Sequence, residues 1–271
     1  MNMRTVEALL QRRFVNGAVL FLFLVGWLAA GSADGQDRGR SPLADAQLVE
    51  DLVLANRILA NEEIVDGLGH VSARNGENPD RFLLSRGMAP AVVTADDIME
   101  FDLDGNPVDQ QDRRMYGERF IHAAIYKVRP DVMAVLHCHT PSVLPFANSD
   151  VPMRPLYQMS SFLNAGAPVF DTRRIEGARD TLVRNLEMGQ VLAQTLGDGA
   201  VVLMWAHGAA IVGGSLPEVV SNSIYLDVNA KMQVQASALG RPVTYLTPEQ
   251  APRSNPYSRV WDHLKLRLPS R

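Results

Sequence analysis

Two histidines one residue apart, His137 and His139, end an apolar run, and a third, His207, follows the apolar run 200–204. Side chains on a strand alternate faces, so residues two apart project together and two imidazoles can chelate one ion while Cys138 turns away. His207 precedes Gly208, Ala209 and Ala210, small residues suited to a backbone turn at a strand end. Three neutral imidazoles with one open position form a catalytic set for zinc or a similar divalent ion. Spacing alone does not bring His207 to the other two, so that proximity is an expectation. Carbon–carbon chemistry beside a carbonyl also needs a proton acceptor or donor. Glu118 is the candidate, because it opens a helical stretch where the positive end of the dipole favours a carboxylate. His122 lies four residues on, along the same helical face, and reads as a structural hydrogen-bonding residue. The competing readings, packed histidines and an ordinary helix-terminal charge, stay open at this level.

Periodicity supplies the elements that must hold these groups. Apolar residues recur at helical spacing over 43–61. A glycine-bearing turn, 67–69, leads into a strand over 70–74, and a second strand over 81–85 makes a hairpin. A strand over 98–103 closes on Asp104-Gly105-Asn106, a helix over 118–128 stops before Pro130, and 132–139 reads as a buried strand. Further elements are a helix over 177–196, strands over 200–204 and 209–213, and a long helix over 216–239. No repeats occur, and interspersed strands and helices predict one α/β layered domain with a mixed or mostly antiparallel sheet.

The chain has 271 residues, 46% hydrophobic and 21% charged, enough for one sizeable core. Its formal charge of −4 and the lack of a basic run with interleaved aromatics exclude nucleic acid as a partner. Arg4, Arg12 and Arg13 precede the uncharged apolar stretch 18–30 and then Gly31-Ser32-Ala33. Residues 1–33 therefore read as a secretory signal peptide, or as a signal anchor if uncleaved, the one route to a membrane. Arg12-Arg13-Phe14 loosely matches a twin-arginine signal. The expected location is exported, periplasmic or membrane-anchored, with a cytoplasmic protein as the alternative. Residues 34–42 are a polar linker, and 43–271 form the catalytic domain. The single cysteine, Cys138, excludes an internal disulfide.

Five motifs in order, Gly69-His70-Val71-Ser72-Ala73-Arg74, Ser85-Arg86-Gly87, Glu118 with His122, the run 134–141, and Trp205-Ala206-His207-Gly208-Ala209, resemble the class II aldolase/adducin family. The resemblance covers about residues 43–239. It implies a three-layer α/β/α fold, a homotetramer with active sites between subunits, and one zinc or manganese ion per subunit. It further implies metal ligation by His137, His139 and His207, with Glu118 as catalytic acid/base.

Members that act on phosphorylated sugars cradle the phosphate with an Asn in the first glycine turn and small hydroxyl residues before the catalytic Glu. Here His70 stands at the Asn position, and Tyr116-Gly117 replace the hydroxyls. That departure resembles the branch with carboxylated substrates, including decarboxylases of hydroxylated aromatic dicarboxylates. The substrate-binding candidates are Gly69 in the first turn, Ser85, Arg86 and Gly87 in the second, and Tyr116, with Arg86 as a bidentate carboxylate clamp. The implied reaction is carbon–carbon lysis, by aldol cleavage or decarboxylation, through an enolate-like anion that Glu118 or His70 protonates. Rivals are a sugar-phosphate aldolase or epimerase, a non-catalytic adducin-head-like binding protein, and a metal hydrolase. Tyr157 and Tyr225 are weaker candidates as proton donors to a neighbouring subunit, Arg119 as an interface pair, and His263 has no expected role.

Overall fold

The computed structural model describes residues 46–164, 166–250 and 257–269. The expected signal segment and linker lie outside the described residues. In chain order the elements are α1 (Ala46–Asn61), β1 (His70–Arg74), β2 (Arg81–Ser85), β3 (Ile98–Asp102), α2 (Arg119–Val128), β4 (Ala134–Cys138) and α3 (Leu144–Ala147). They continue with β5 (Val169–Phe170), α4 (Leu186–Leu196), β6 (Val201–Met204), β7 (Gly208–Gly213), α5 (Leu216–Ala238) and α6 (Tyr257–Arg267).

The seven strands form one sheet in the order β3-β2-β1-β4-β7-β6-β5. Neighbouring strands pair antiparallel except at one edge, where β5 runs parallel to β6, so the sheet is mixed, with five of its six pairings antiparallel. β5 arrives from the long irregular segment after α3 instead of from a hairpin, which is why its direction is not set by a tight turn.

Helices cover both faces, and strand alternation sorts the apolar side chains between two cores. Val71, Ala73, Leu136, Cys138, Leu203 and Ile211 join the core under α1 and α5. Their neighbours Val135, Val202, Met204, Ala210 and Val212 join the core under α2 and α4. Strands buried on both faces read as near-continuous apolar runs, which accounts for the unalternating 132–136 and 200–204 segments. This is the three-layer α/β/α arrangement expected from the sequence. Among the described residues no helix is long and apolar enough to cross a membrane.

Two elements depart from expectation. The helix expected over 177–196 begins only at Leu186, capped by the Asn185 side chain, which accepts from the Met188 amide at 2.9 Å. Residues 178–185 instead run as an irregular strap. α6 was not expected at all: it is largely polar, and only Trp261 and Leu264 of its side chains are buried.

Candidate active site

β4 carries His137 as its fourth residue, and His139 lies just beyond its end. His207 sits in the hairpin between β6 and β7, where Ala206 adopts φ +50° and donates its amide to Asn148 Oδ1 at 2.8 Å. Gly208 is required next: a Cβ there would collide with the Cys138 carbonyl oxygen, so any other residue would push His207 away from β4. Glu118 is the cap residue of α2, just before its first helical residue.

These elements converge four side chains. His137 Nε2 lies 3.1 Å from His139 Nε2, which lies 3.2 Å from His207 Nε2. Glu118 Oε2 is 3.4 Å from His207 Nε2 and 3.6 Å from His137 Nε2. The opposite ring nitrogens all face oxygen acceptors. Nδ1 of His137 donates to the Ala209 carbonyl at 3.1 Å, Nδ1 of His207 to the Thr181 carbonyl at 2.8 Å, and Nδ1 of His139 faces Asp66 Oδ1 at 3.3 Å. With protons held on Nδ1, three Nε2 lone pairs and a carboxylate meet with no hydrogen to share. A bound cation would reconcile them, and nitrogens about 3.3 Å apart are what a tetrahedral ion with ligands at about 2.0–2.1 Å requires. The donor set thus fits a divalent ion.

Burial, aided by neighbouring rings, drives the His137 imidazole well below its ordinary pKa despite the nearby Glu118, so it is neutral. Burial also opposes ionisation of Glu118. The adjoining imidazoles of His207 and His137, with the Val183 amide, outweigh that and hold it below the usual carboxylate range. For His207, burial is likewise outweighed by Glu118, and its pKa rises. Glu118 Oε1 accepts the Val183 amide at 2.8 Å. The strap 178–185 therefore orients two of the four groups, His207 through Thr181 and Glu118 through Val183.

Beside this centre lies a second, wholly buried ladder. On β1, His70 and Ser72 point toward α2, where His122 and Tyr126 stand one helical turn apart. His70 Nδ1 meets His122 Nε2 at 2.6 Å, His122 Nδ1 meets Ser72 Oγ at 2.6 Å, and Ser72 Oγ meets the Tyr126 hydroxyl at 2.9 Å. Burial, with a contribution from nearby rings, pushes His70 well down and His122 to about 3, so both are neutral. The ladder engages His70 Nδ1 and leaves Nε2 for the cavity that His70 lines.

That cavity, of about 480 Å³, brings together His70, Gly87, Tyr116, Glu118 and His139 from the expected set. The Tyr116 ring lies 4.4 Å from that of His70, its hydroxyl donates to the Met88 carbonyl, and burial raises its pKa. Gly69 donates its amide to Asp66 Oδ1 at 3.0 Å, in the turn beside the cavity. Ser85 and Arg86 do not join the cavity lining. Ser85 is fully buried at the end of β2, and Arg86 Nε donates to Asp97 Oδ1 at 2.6 Å. The cation that lines the cavity is instead Arg114.

Sequence reasoning missed Arg114, Asp66 and the strap. Only the Asp66-Gly67 pair, a turn signal just before His70, offered a local clue. Arg119 donates to the Gly105 carbonyl at 2.7 Å within its own chain. Tyr157 and Tyr225 stand with rings 6.4 Å apart outside the cavity lining, and His263 lies on α6.

The sequence matches the Class II Aldolase and Adducin N-terminal domain family over residues 50–234. It is 37% identical over 204 residues to the decarboxylase tropJ of Talaromyces stipitatus, covering 70% of this chain and 77% of that one. It is 33% identical over 215 residues to the 3,4-dihydroxyphthalate decarboxylase of Arthrobacter keyseri, covering 74% of this chain and 83% of that one. The fold is similar to that of an aldolase II superfamily protein from Pseudomonas syringae, with a TM-score of 0.71 at 23% identity over 84% of this chain and 94% of that one. Extensive sequence matches to two decarboxylases, together with the matched fold, establish the lineage: this chain belongs to the class II aldolase and adducin family.

Proposed function

We propose that the chain is a divalent-metal-dependent carboxy-lyase that removes carbon dioxide from a hydroxylated, carboxylated aromatic or carbonyl substrate. The observation that carries this reading is the meeting of three Nε2 lone pairs and an ionised Glu118 beside a cavity whose walls include Leu68, Met88, Met115 and Leu182. His137, His139 and His207 would hold zinc or manganese, which would supply electrostatic stabilisation of the anion left when carbon dioxide departs. Glu118, ionised at neutral pH, accepts the proton of a substrate hydroxyl and returns it to the carbon that has lost its carboxylate. A solvent proton then restores the hydroxyl and completes the balance. His70 is neutral, with Nδ1 tied to His122, and presents Nε2 to the substrate. Leu68, Met88, Met115 and Leu182 line the cavity with apolar surface suited to a flat ring.

The decarboxylase names among the relatives support carbon dioxide as the leaving group. Loss of an aldehyde by retro-aldol cleavage is the second reading, since it shares the anion. The proposal extends to an exported homotetramer in which Tyr157 and Tyr225 approach a neighbouring site. In the deciding experiment, metal-loaded protein is assayed on hydroxylated benzene dicarboxylates and on free and phosphorylated ketoses, with carbon dioxide and aldehyde followed separately. Carbon dioxide from the aromatic acids is expected. Turnover confined to sugar phosphates would sink the proposal. For export, the protein from native cells should lack residues 1–33 or sit in the membrane, and an intact Met1 on soluble cytoplasmic material would refute it.

A further inference from the structure

Anion recognition in this cavity has two available walls, and they are in opposite states. The glycine turn before β1 is already satisfied: Asp66 Oδ1 accepts the Leu68 amide at 2.8 Å and the Gly69 amide at 3.0 Å. A carboxylate fixed among those amides repels an incoming phosphate and occupies these two donors. Across the cavity, Arg114 is in the reverse condition. Its side chain is exposed and makes no hydrogen bond or ion pair with the described residues, and it is the one Lys or Arg among those lining the cavity. Its position is nonetheless built. The Gly87 amide donates to the Arg114 carbonyl at 2.7 Å, and a Cβ on Gly87 would approach the Arg114 Cγ to 3.3 Å, so the arginine stem lies across the bare glycine. Arg86, one residue earlier, is held by Asp97 on the other side of the turn.

We infer that Arg114 binds a second carboxylate of the substrate, one that is not lost, and so selects aromatic dicarboxylates over monocarboxylates and phosphates. The inference rests on the carboxy-lyase reading for the identity of the first carboxylate. A planar guanidinium matches a carboxylate through two parallel hydrogen bonds, and a partner with no internal acceptor gives up no intramolecular bond on engaging a ligand. The cavity, about 480 Å³ and lined by Leu68, Met88, Met115 and Leu182 as well as by Glu118, His139 and Arg114, has the volume to hold a substituted benzene ring.

The test uses the full chain loaded with zinc and three non-reacting probes: benzene-1,2-dicarboxylate, benzoate and inorganic phosphate, titrated calorimetrically. The native protein should bind the dicarboxylate about tenfold or more tightly than benzoate, and phosphate more weakly than either. Arg114→Met should abolish the preference while leaving benzoate affinity, zinc content and melting temperature unchanged, and Arg114→Lys should restore part of it. A dicarboxylate-to-benzoate ratio unaltered in Arg114→Met, or no preference in the native protein, overturns the inference. Carbon dioxide release from the hydroxylated dicarboxylate is followed in parallel. Its absence, with the Arg114-dependent ratio intact, refutes the carboxy-lyase reading and leaves the assignment of Arg114 standing.

Discussion

The protein holds two histidine clusters a few ångströms apart, bridged by the 5.1 Å separation of the His70 and His137 rings. In the ladder of His70, His122, Ser72 and Tyr126, three contacts of 2.6–2.9 Å link the four side chains to one another. In the centre of His137, His139 and His207, each Nδ1 looks outward to a backbone or carboxylate oxygen, and the three Nε2 atoms face one another. The same residue type is thus structural in one cluster and unsatisfied in the other. What the second nitrogen faces, rather than burial or count, decides which histidines call for an ion.

The largest expected effect comes from breaking the unsatisfied cluster. His207→Ala should lose the metal on dialysis and lower turnover by about a thousandfold or more, since a metal contributes several kcal/mol to the transition state. Metal analysis beside an activity assay checks this, and a variant that keeps stoichiometric metal would place the centre elsewhere. Glu118→Gln should keep metal and fold but lower kcat by about 10²–10⁴. Unchanged kcat would remove Glu118 from the proton transfer. Asp66→Asn, which weakens the acceptor for His139 Nδ1, should cost about 10–100-fold in metal affinity, read by competition with a chelator.

Breaking the ladder should act on stability instead. His122→Phe fits beside the Phe82 ring, 6.3 Å away, but strands His70 Nδ1 and removes one of the partners of Ser72 Oγ, and should cost about 1–3 kcal/mol with metal retained. Metal loss in this variant would mean that the two clusters are one. The smallest effect is a pH slope. His122 titrates near 3 when folded and near 6.5 when unfolded, so the unfolded chain binds the extra proton between those values. Stability should therefore fall as pH drops from about 6.5 toward 3, by at most about 1.4 kcal/mol per pH unit from this group, and stay flat above. Denaturant midpoints at pH 5 and 7 should show a shallower dependence in His122→Phe than in the native chain.

Local patterns made much of this legible. The period of a strand puts His137 and His139 on one face, and the helix start puts Glu118 at the cap of α2. The missed features depend on where loops run. Leu182, Val183 and Leu186 satisfy helical spacing, yet the Val183 amide is engaged by Glu118 and Asn185 starts the helix later. Periodicity does not register a carboxylate 65 residues earlier. Arg86 and Arg114 have equal claims as cations in the sequence. The 3-10 turn Ala95–Asp97 presents Asp97 to Arg86, whereas no acidic partner among the described residues reaches Arg114. α6 escaped notice because two buried side chains in eleven residues leave almost no apolar stripe.

Cys138 has a consequence for which metal the proposed centre would take. The alternation that aims His137 and His139 together turns the thiol into the opposite core, where Thr140 Oγ1 donates to its sulfur at 3.2 Å and burial raises its pKa. The donor set is therefore nitrogen and oxygen only, with no soft ligand to enforce one ion. For such a set manganese binds more weakly than zinc, and supply rather than the cage decides occupancy. The metal recovered from the protein should follow the ion abundant where the chain folds, and would change if the same chain were made in a differently supplied compartment.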